Sequence, residues 1–372
     1  PADETACALA AHCLMQLHRP AEVVELLRAF PAEGPRDAGF HLVLGQALEA
    51  LHRPQEAITA YMDALALKVD LALAHARLGF CFNRLEMREE AAQCFRTAHV
   101  LGVGEQSLNM LGQLAFRERE VCRWADAAAD ARALRDAVAA LGEDVAMPLS
   151  VFPMLAMEDD PQIHLRAARA TARHMARGLE ALPPLTMPPL DGRRLRVGYV
   201  SSDFFQHATS ILMAGVLESH DRERFEITLY SHSLDDGSPM RSRVRAAADR
   251  VVEIGELDTR QAAQRMRDDA IDILVDLKGF TKDSRFELFA MRPAPVQVSF
   301  LGYPGTVGAD WMDYVIGDPQ VTPLEHAADF SEKIAQLPTC YQPNDSRRVL
   351  PEATPRSECG LPQDAVVLCG FN

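Results

Sequence analysis

Ala181-Leu-Pro-Pro-Leu-Thr-Met-Pro-Pro-Leu190, followed by Leu195-Arg-Val-Gly-Tyr-Val200, is where the chain changes its period. Four prolines in ten residues cannot continue a helix, because proline has no amide donor and its ring clashes with the preceding turn; the stretch reads as an extended linker. The six residues from Leu195 read as a strand. Upstream the pattern is helical, and downstream strands alternate with helices. The boundaries that follow are an array over 1–140, a helical connector with its proline-rich linker over 141–190, and an α/β unit over 191–355.

Working back from the linker, His164–Leu179 reads as one amphipathic helix rich in Ala and Arg, after Pro148, Pro153 and Pro161 have broken residues 142–180 into short pieces. Before that comes a repeat. His18-Arg19-Pro20-Ala21-Glu22 returns as His52-Arg53-Pro54-Gln55-Glu56, an offset of 34, and Glu86-Met87-Arg88-Glu89-Glu90 keeps the last Glu. The same offset carries Leu44-Gly45 to Leu78-Gly79, and Leu48, Ala57, Tyr61 and Ala64 to Phe82, Ala91, Phe95 and Ala98. A period of 34 with Leu-Gly, then Ala, an aromatic and Ala resembles the tetratricopeptide repeat. Small residues sit where the two helices of a hairpin approach, and large ones fill the gaps between hairpins, which must stack to bury their apolar faces. Helix pairs are expected at about 4–36, 38–69 and 72–103, with a degenerate pair near Leu108–Val138. Such an array is either a concave surface for peptides and partner proteins or a scaffold or dimerisation element, including a homodimer, without a ligand; both readings stand.

Working forward, strands are expected at Leu195–Val200, Phe225–Tyr230, Val251–Ile254, Ile271–Leu277, Val296–Leu301, Tyr314–Ile316 and Ala365–Cys369. Helices are expected at Ser210–Ser219, Ser238–Ala248 and Thr259–Ala270. Strands alternating with helices predict βαβ units and a parallel sheet covered on both faces, with ligands beyond the carboxyl ends of the strands. Neither G-x-G-x-x-G nor G-x-x-x-x-G-K-[ST] occurs, so the usual dinucleotide and P-loop signatures are missing.

Composition narrows the function classes. The 372 residues are 48% hydrophobic and 24% charged, ordinary for a globular protein, and no apolar run approaches the roughly 20 residues of a membrane span. With 38 Lys and Arg against 53 Asp and Glu the net charge is −15, a poor balance for neutralising the phosphates of nucleic acid. The eight cysteines form no C-x-x-C pair, which argues against a zinc site and predicts reduced, mostly buried thiols in a cytoplasmic protein.

Two strand-end loops look chemical. Ser201-Ser-Asp-Phe-Phe-Gln-His-Ala-Thr-Ser210 leads from the first strand into a helix, which places His207 at a helix N-terminus, where free amides favour anions and neutral imidazole. Capping or packing is the competing role for such a histidine. Leu301-Gly-Tyr-Pro-Gly-Thr-Val-Gly308 follows another strand, and its glycines permit tight turns and close approach of backbone amides to a sugar or phosphate. Asp203, Asp276 and Lys278 also fall at strand ends, where they read first as caps or solvated charges. Asp235-Asp236-Gly237 reads as a turn.

Taken together, RVGYVSSDF with HATS, SHSLDDGS, DILVDLKGFTK, ELFAMRPAPVQVSFLGYPGT and MDYVIGD closely resemble the catalytic region of the O-linked N-acetylglucosamine transferases, a family that also carries tetratricopeptide repeats upstream. The resemblance implies the first Rossmann-like lobe of a GT-B glycosyltransferase. It implies transfer of N-acetylglucosamine from UDP-GlcNAc to Ser or Thr hydroxyls of proteins, with inversion, the repeats presenting the acceptor polypeptide. By that resemblance His207 faces the reacting centre, as general base or as a residue shaping the donor site. Gly302, Tyr303, Pro304 and Gly305 border the sugar, and Thr209 is a lesser substrate contact. No cofactor and no essential metal ion are expected, since a diphosphate held by amides at a helix N-terminus needs none.

In the family a strand corresponding to Val366–Asn372 opens the second, donor-binding lobe, so 356–372 is expected to be the start of that lobe. One lobe supplies half a cleft, and these 372 residues alone are expected neither to bind UDP-GlcNAc tightly nor to turn it over. Two alternatives remain: a tetratricopeptide scaffold whose α/β lobe is not catalytic, and a GT-B enzyme with a non-protein acceptor.

Overall fold

A computed structural model describes residues 4–17, 19–30, 36–186, 189, 191–348 and 352–369. Parts of the expected first helix pair (31–35), of the linker (187, 188 and 190) and of the C-terminal stretch (370–372) lie outside the described residues.

Among the described residues the array forms four helical hairpins: α1 (Glu4–Gln16) with α2 (Pro20–Ala29), α3 (Ala38–Ala50) with α4 (Pro54–Leu67), α5 (Ala72–Arg84) with α6 (Arg88–Leu101), and α7 (Ser107–Glu120) with α8 (Trp124–Ala139). The period of 34 is visible in its physics. A methyl on Gly45 would lie 2.4 Å from the Tyr61 ring, and one on Gly79 would lie 2.5 Å from the Phe95 ring. Each glycine therefore opens the slot into which its hairpin's aromatic packs, and both aromatics are fully buried. The fourth hairpin departs from this, as Gly112 faces the Ser150 side chain of the connector instead. The hairpin turns repeat as well. His52, Glu86 and Cys122 adopt positive φ, and the next residues, Arg53, Met87 and Arg123, return an amide bond to Leu48, Phe82 and Glu118. That is the Schellman arrangement closing α3, α5 and α7.

The connector contains α9 (Val151–Met154) and α10 (Pro161–Met175). Pro161, read above as a breaker, starts α10: it occupies the first turn behind Asp160, whose carboxylate accepts the Gln162 amide. Proline is tolerated there because the first-turn amides have no intrahelical partner. The helix consequently begins before His164 and ends before Leu179.

Among the described residues, seven parallel strands then form one sheet: β1 (Leu195–Ser201), β2 (Phe225–Ser231), β3 (Arg250–Glu253), β4 (Ile273–Asp276), β5 (Val296–Ser299), β6 (Tyr314–Gly317) and β7 (Lys333–Gln336). Their spatial order is β3-β2-β1-β4-β5-β6-β7. The helices between them are α11 (Ala208–Ser219), α12 (Pro239–Ala246), α13 (Thr259–Asp268) and the one-turn α14 (Glu287–Ala290). Side chains alternate between two cores: Val197, Tyr199, Ile227, Leu229 and Val275 pack with α11 on one face, while Val200, Tyr230 and Leu274 pack with Phe286 and Phe289 on the other. Ala172 of α10 belongs to the second core, and Phe280 packs both there and among the connector residues, so array, connector and sheet are joined by continuous apolar contact.

Three expectations are corrected. Residues 365–369 form no strand; Val366 and Leu368 are almost fully exposed, and among the described residues no neighbouring strand offers them a ladder. Strand β7, four residues with little apolar alternation, gave no period to read. The cysteines are all free, but only Cys81 is buried, while Cys13, Cys122, Cys340, Cys359 and Cys369 are exposed. Cys122 is a hairpin-turn residue and the last three lie in irregular segments, outside any core.

Candidate active site

The strand order fixes where a site can form. From β1 the chain moves outward through β2 to β3, then returns to the other side of β1 with β4 and runs outward again to β7. The reversal lies between β1 and β4, and in open parallel sheets the crevice for ligands forms beyond the carboxyl ends of the strands at such a point. Register places Val200 opposite Asp276, and Asp276 opposite Ser299, so the loops after β1, β4 and β5 emerge side by side.

The loop after β1 is held tightly. The Asp203 amide donates to Ser201 Oγ at 3.0 Å, and the Ser210 hydroxyl donates to the Asp203 carbonyl at 2.5 Å. The loop after β2 clamps it from outside: the Phe204 amide donates to Ser233 Oγ (2.9 Å) and the Gln206 amide to Asp236 (3.0 Å). Asp235 and Asp236 are thus the expected turn, accepting the Gly237 and Ser238 amides, and Asp236 also fastens the His207 loop. His207 is the N-cap of α11. Its Nδ1 accepts the Thr209 amide at 3.2 Å and lies 3.5 Å from Asp203 Oδ2. An imidazole that accepts at Nδ1 carries its proton on Nε2. The ring rests against Phe205, its side chain is 42% exposed, and Nε2 has no partner among the described residues.

The loop after β4 supplies a charge. Lys278 Nζ lies 2.7 Å from Asp203 Oδ2, and both residues are buried. Thr209 Oγ1 donates to the same carboxylate oxygen at 3.4 Å, and Ser202 Oγ to Oδ1 at 3.1 Å. A buried ion pair of this kind is kept only where further hydrogen bonds satisfy it. Asp276 turns back on its own loop, accepting the Lys278 and Gly279 amides at 3.0 and 2.7 Å. Burial pushes its acid up to about 6, against the pull of those two amides and the Lys278 charge. At the end of β2, His232 holds the Asp283 carbonyl at 3.1 Å through Nε2 while its Nδ1 is buried with no partner. Desolvation there pushes the imidazole down to about 4.

The loop after β5 packs onto the loop after β4. A methyl on Gly302 would meet the Leu277 carbonyl at 2.0 Å, so only glycine fits. Gly302 and Gly305 are half-buried and Pro304 is exposed, which leaves backbone accessible. The Tyr303 ring, however, is buried against Phe280 at 5.3 Å and Phe152 at 6.1 Å. It locks the loop to the connector and lines no open face. Thr209 is likewise turned inward.

Of the six residues singled out in the sequence, the structure brings His207 and the backbone of Gly302, Pro304 and Gly305 to the same sheet end, and assigns the side chains of Thr209 and Tyr303 to packing. Reading Asp203 and Lys278 as caps or solvated charges missed their pairing. Their signal was positional: each ends a strand or begins the loop after it, but only the strand order makes them neighbours. Among the described residues no group of three His, Cys, Asp or Glu side chains is placed to hold a metal ion, and no helix is long and apolar enough to cross a membrane.

Known proteins resemble the chain over this region. The sequence profile of glycosyl transferase family 41 matches residues 121–357, from the last hairpin through β7. The chain belongs to that family. Among curated relatives, the probable UDP-N-acetylglucosamine–peptide N-acetylglucosaminyltransferase SEC of Arabidopsis thaliana is 40% identical over 236 residues, covering 59% of this chain and 24% of the relative. The UDP-N-acetylglucosamine–peptide N-acetylglucosaminyltransferase of Caenorhabditis elegans is 42% identical over 165 residues, 44% of this chain and 14% of its own length. The chain therefore spans a quarter or less of these relatives. A solved mutant O-GlcNAc transferase from Thermobaculum terrenum superposes with a TM-score of 0.58 at 24% identity, covering 91% of this chain and 58% of that one; it supports the fold, helical repeats followed by the first α/β lobe.

Proposed function

We propose that this chain is the acceptor-presenting and first catalytic part of an enzyme that moves N-acetylglucosamine from UDP-GlcNAc to Ser or Thr hydroxyls of polypeptides, inverting the anomeric centre. The observation that carries the reading is the β1/β4 reversal, where His207, the Asp203–Lys278 pair and the glycine loop meet within the residues matched by family 41. The division into array 1–140, connector 141–190, lobe 191–355 and the opening of a second lobe at 356–372 belongs to the same reading. So does a cytoplasmic setting, which five exposed free thiols favour.

In inverting transfer the acceptor oxygen forms a bond to the anomeric carbon as the bond to the diphosphate oxygen breaks on the opposite face. The acceptor proton passes to a base and the negative charge passes to UDP. The exposed Nε2–H of His207 is a donor, suited to an oxygen of the sugar or diphosphate. The amides opening α11, apart from that of Thr209 held by His207 Nδ1, favour the anionic leaving group, and on this reading no divalent ion is required. Asp203 lies close enough to His207 Nδ1 to favour a second role. With the proton on Nδ1 and directed to Asp203, Nε2 becomes an acceptor and His207 a general base.

Replacing His207 by Asn and by Ala in the full-length enzyme, assayed for sugar transfer to peptide with and without EDTA, tests both roles. Asn keeps a donor and a capping acceptor but cannot act as a base near neutral pH. Activity retained by Asn and lost by Ala supports the donor role; loss of about 10²–10⁴-fold in both supports the base. Full activity in both would remove His207 from the chemistry. Activity abolished by EDTA and restored by one metal would overturn metal independence.

A further inference from the structure

The array holds a cavity of about 510 Å³ lined by His12, Gln46, Glu49, His52, Arg77 and Arg84 among others, residues of α1, α3, α5 and the turn after α3. Its charge is unbalanced in a chain whose net charge is −15. Glu49 is its one acid, and that carboxylate is already engaged: Tyr61 donates to Oε2 at 2.9 Å, and Arg77 lies 3.7 Å from Oε1. Arg84 has only an imidazole, His52 Nδ1 at 3.1 Å, and no carboxylate within salt-bridge distance among the described residues. Several other arginines of the array are engaged by an acid, although Arg36 and Arg119 bond backbone carbonyls, those of Phe30 and Ala156. Arg28, Arg53, Arg96, Arg117 and Arg123 each pair with a glutamate. A second cavity of about 580 Å³ shares His12 and Val43 with the first; it is walled by Leu27, Phe30 and Phe40 and also lined by Asp37, whose carboxylate accepts the Phe40 amide.

We propose that this groove binds a polypeptide segment in which acidic side chains neighbour a large apolar one, the carboxylates meeting Arg84 and Arg77 and the apolar side chain entering the adjoining chamber. An arginine without a counter-ion, aimed with a second arginine into a concave surface, is the geometry that charge-assisted carboxylate recognition uses. The apolar chamber next to it favours a peptide over a free phosphate or a nucleic acid. This rests on the reading of the array as a polypeptide-binding surface and adds the class of sequence it selects.

The test is binding of a short fluorescein-labelled peptide, glutamates flanking one phenylalanine, to the 372-residue chain by anisotropy, against the same peptide with glutamines. The acidic peptide is expected to bind about tenfold or more tightly than its glutamine counterpart, with the preference largely lost in Arg84→Ala and Arg77→Ala and partly kept in Arg84→Lys. Both arginines lie on the surface of the groove, and thermal melts confirm that each variant is folded. Equal binding of the two peptides, or a preference unchanged by the arginine variants, overturns the acidic selection while leaving polypeptide binding standing. No binding of either peptide overturns the selection together with the peptide-binding reading of the array.

Discussion

The array and the sheet solve the same problem, burying apolar surface, with opposite use of sequence distance. In the array every decisive contact lies within about one repeat: Gly79 meets Phe95, Gly45 meets Tyr61, and Schellman turns recur at His52 and Glu86. Ion pairs such as Arg28–Glu56 and Arg123–Glu89 are exposed, and where an acid is buried, as Glu118 is beside Arg96, its partner lies only 22 residues away. In the sheet, the decisive polar contact joins Asp203 to Lys278 across 75 residues and is buried. The array stores its information in a period, and the sheet stores it in the order of its strands.

That contrast is broken or sharpened by substitution. The largest stability effect is expected at the buried pair. Lys278→Met leaves an unpaired carboxylate in the interior and should cost about 3–5 kcal/mol in denaturant unfolding, whereas Arg123→Ala in the array should cost under about 1 kcal/mol. Equal costs would contradict the distinction. Next comes His232. Its imidazole titrates near 4 when folded and near 6.5 when unfolded, so the unfolded chain binds the extra proton between those values. Its contribution is intact above about pH 6.5 and is lost as pH falls toward 4, by about 3 kcal/mol. Asp276 acts in the opposite sense. Its acid is raised to about 6, so protonation on acidification favours the fold and offsets part of the loss. His232→Asn should therefore shift stability toward the acid side, with Tm at pH 5 rising relative to pH 7 compared with the unmutated chain. An unchanged pH profile would show that His232 is not held neutral.

Smaller effects test the array. Gly79→Ala places a methyl 2.5 Å from the Phe95 ring and should cost about 1–3 kcal/mol by overpacking. If it stabilises by helix propensity instead, the slot is looser than described. Glu86→Gly relieves a non-glycine residue at φ 59° and should raise stability by up to about 1 kcal/mol.

Legibility followed the same divide. The second and third hairpins could be read because the 34-residue offset brings Gly45 and Tyr61 back as Gly79 and Phe95, the first from the return of His18-Arg19-Pro20 as His52-Arg53-Pro54, and the fourth only as a degenerate pair. The strands from β1 to β6 could be read from their apolar runs, and β7 could not, having only four residues without alternation. Pro161 misled because the same residue that breaks a helix interior opens a helix at its first turn. His207 could be placed at a helix start from the strand-loop-helix pattern alone. The buried state of Asp203, Lys278 and Tyr303 could not, since it depends on β4 returning beside β1 and on the connector covering the loop after β5.

The most direct test is a crystal structure of the protein, with the second lobe proposed above, bound to UDP-GlcNAc and an inert acceptor peptide. The account predicts the sugar at the carboxyl ends of β1 and β4, with an oxygen of the donor or acceptor within hydrogen-bond reach of His207 Nε2. A sugar bound away from that reversal, with His207 facing solvent, would contradict it.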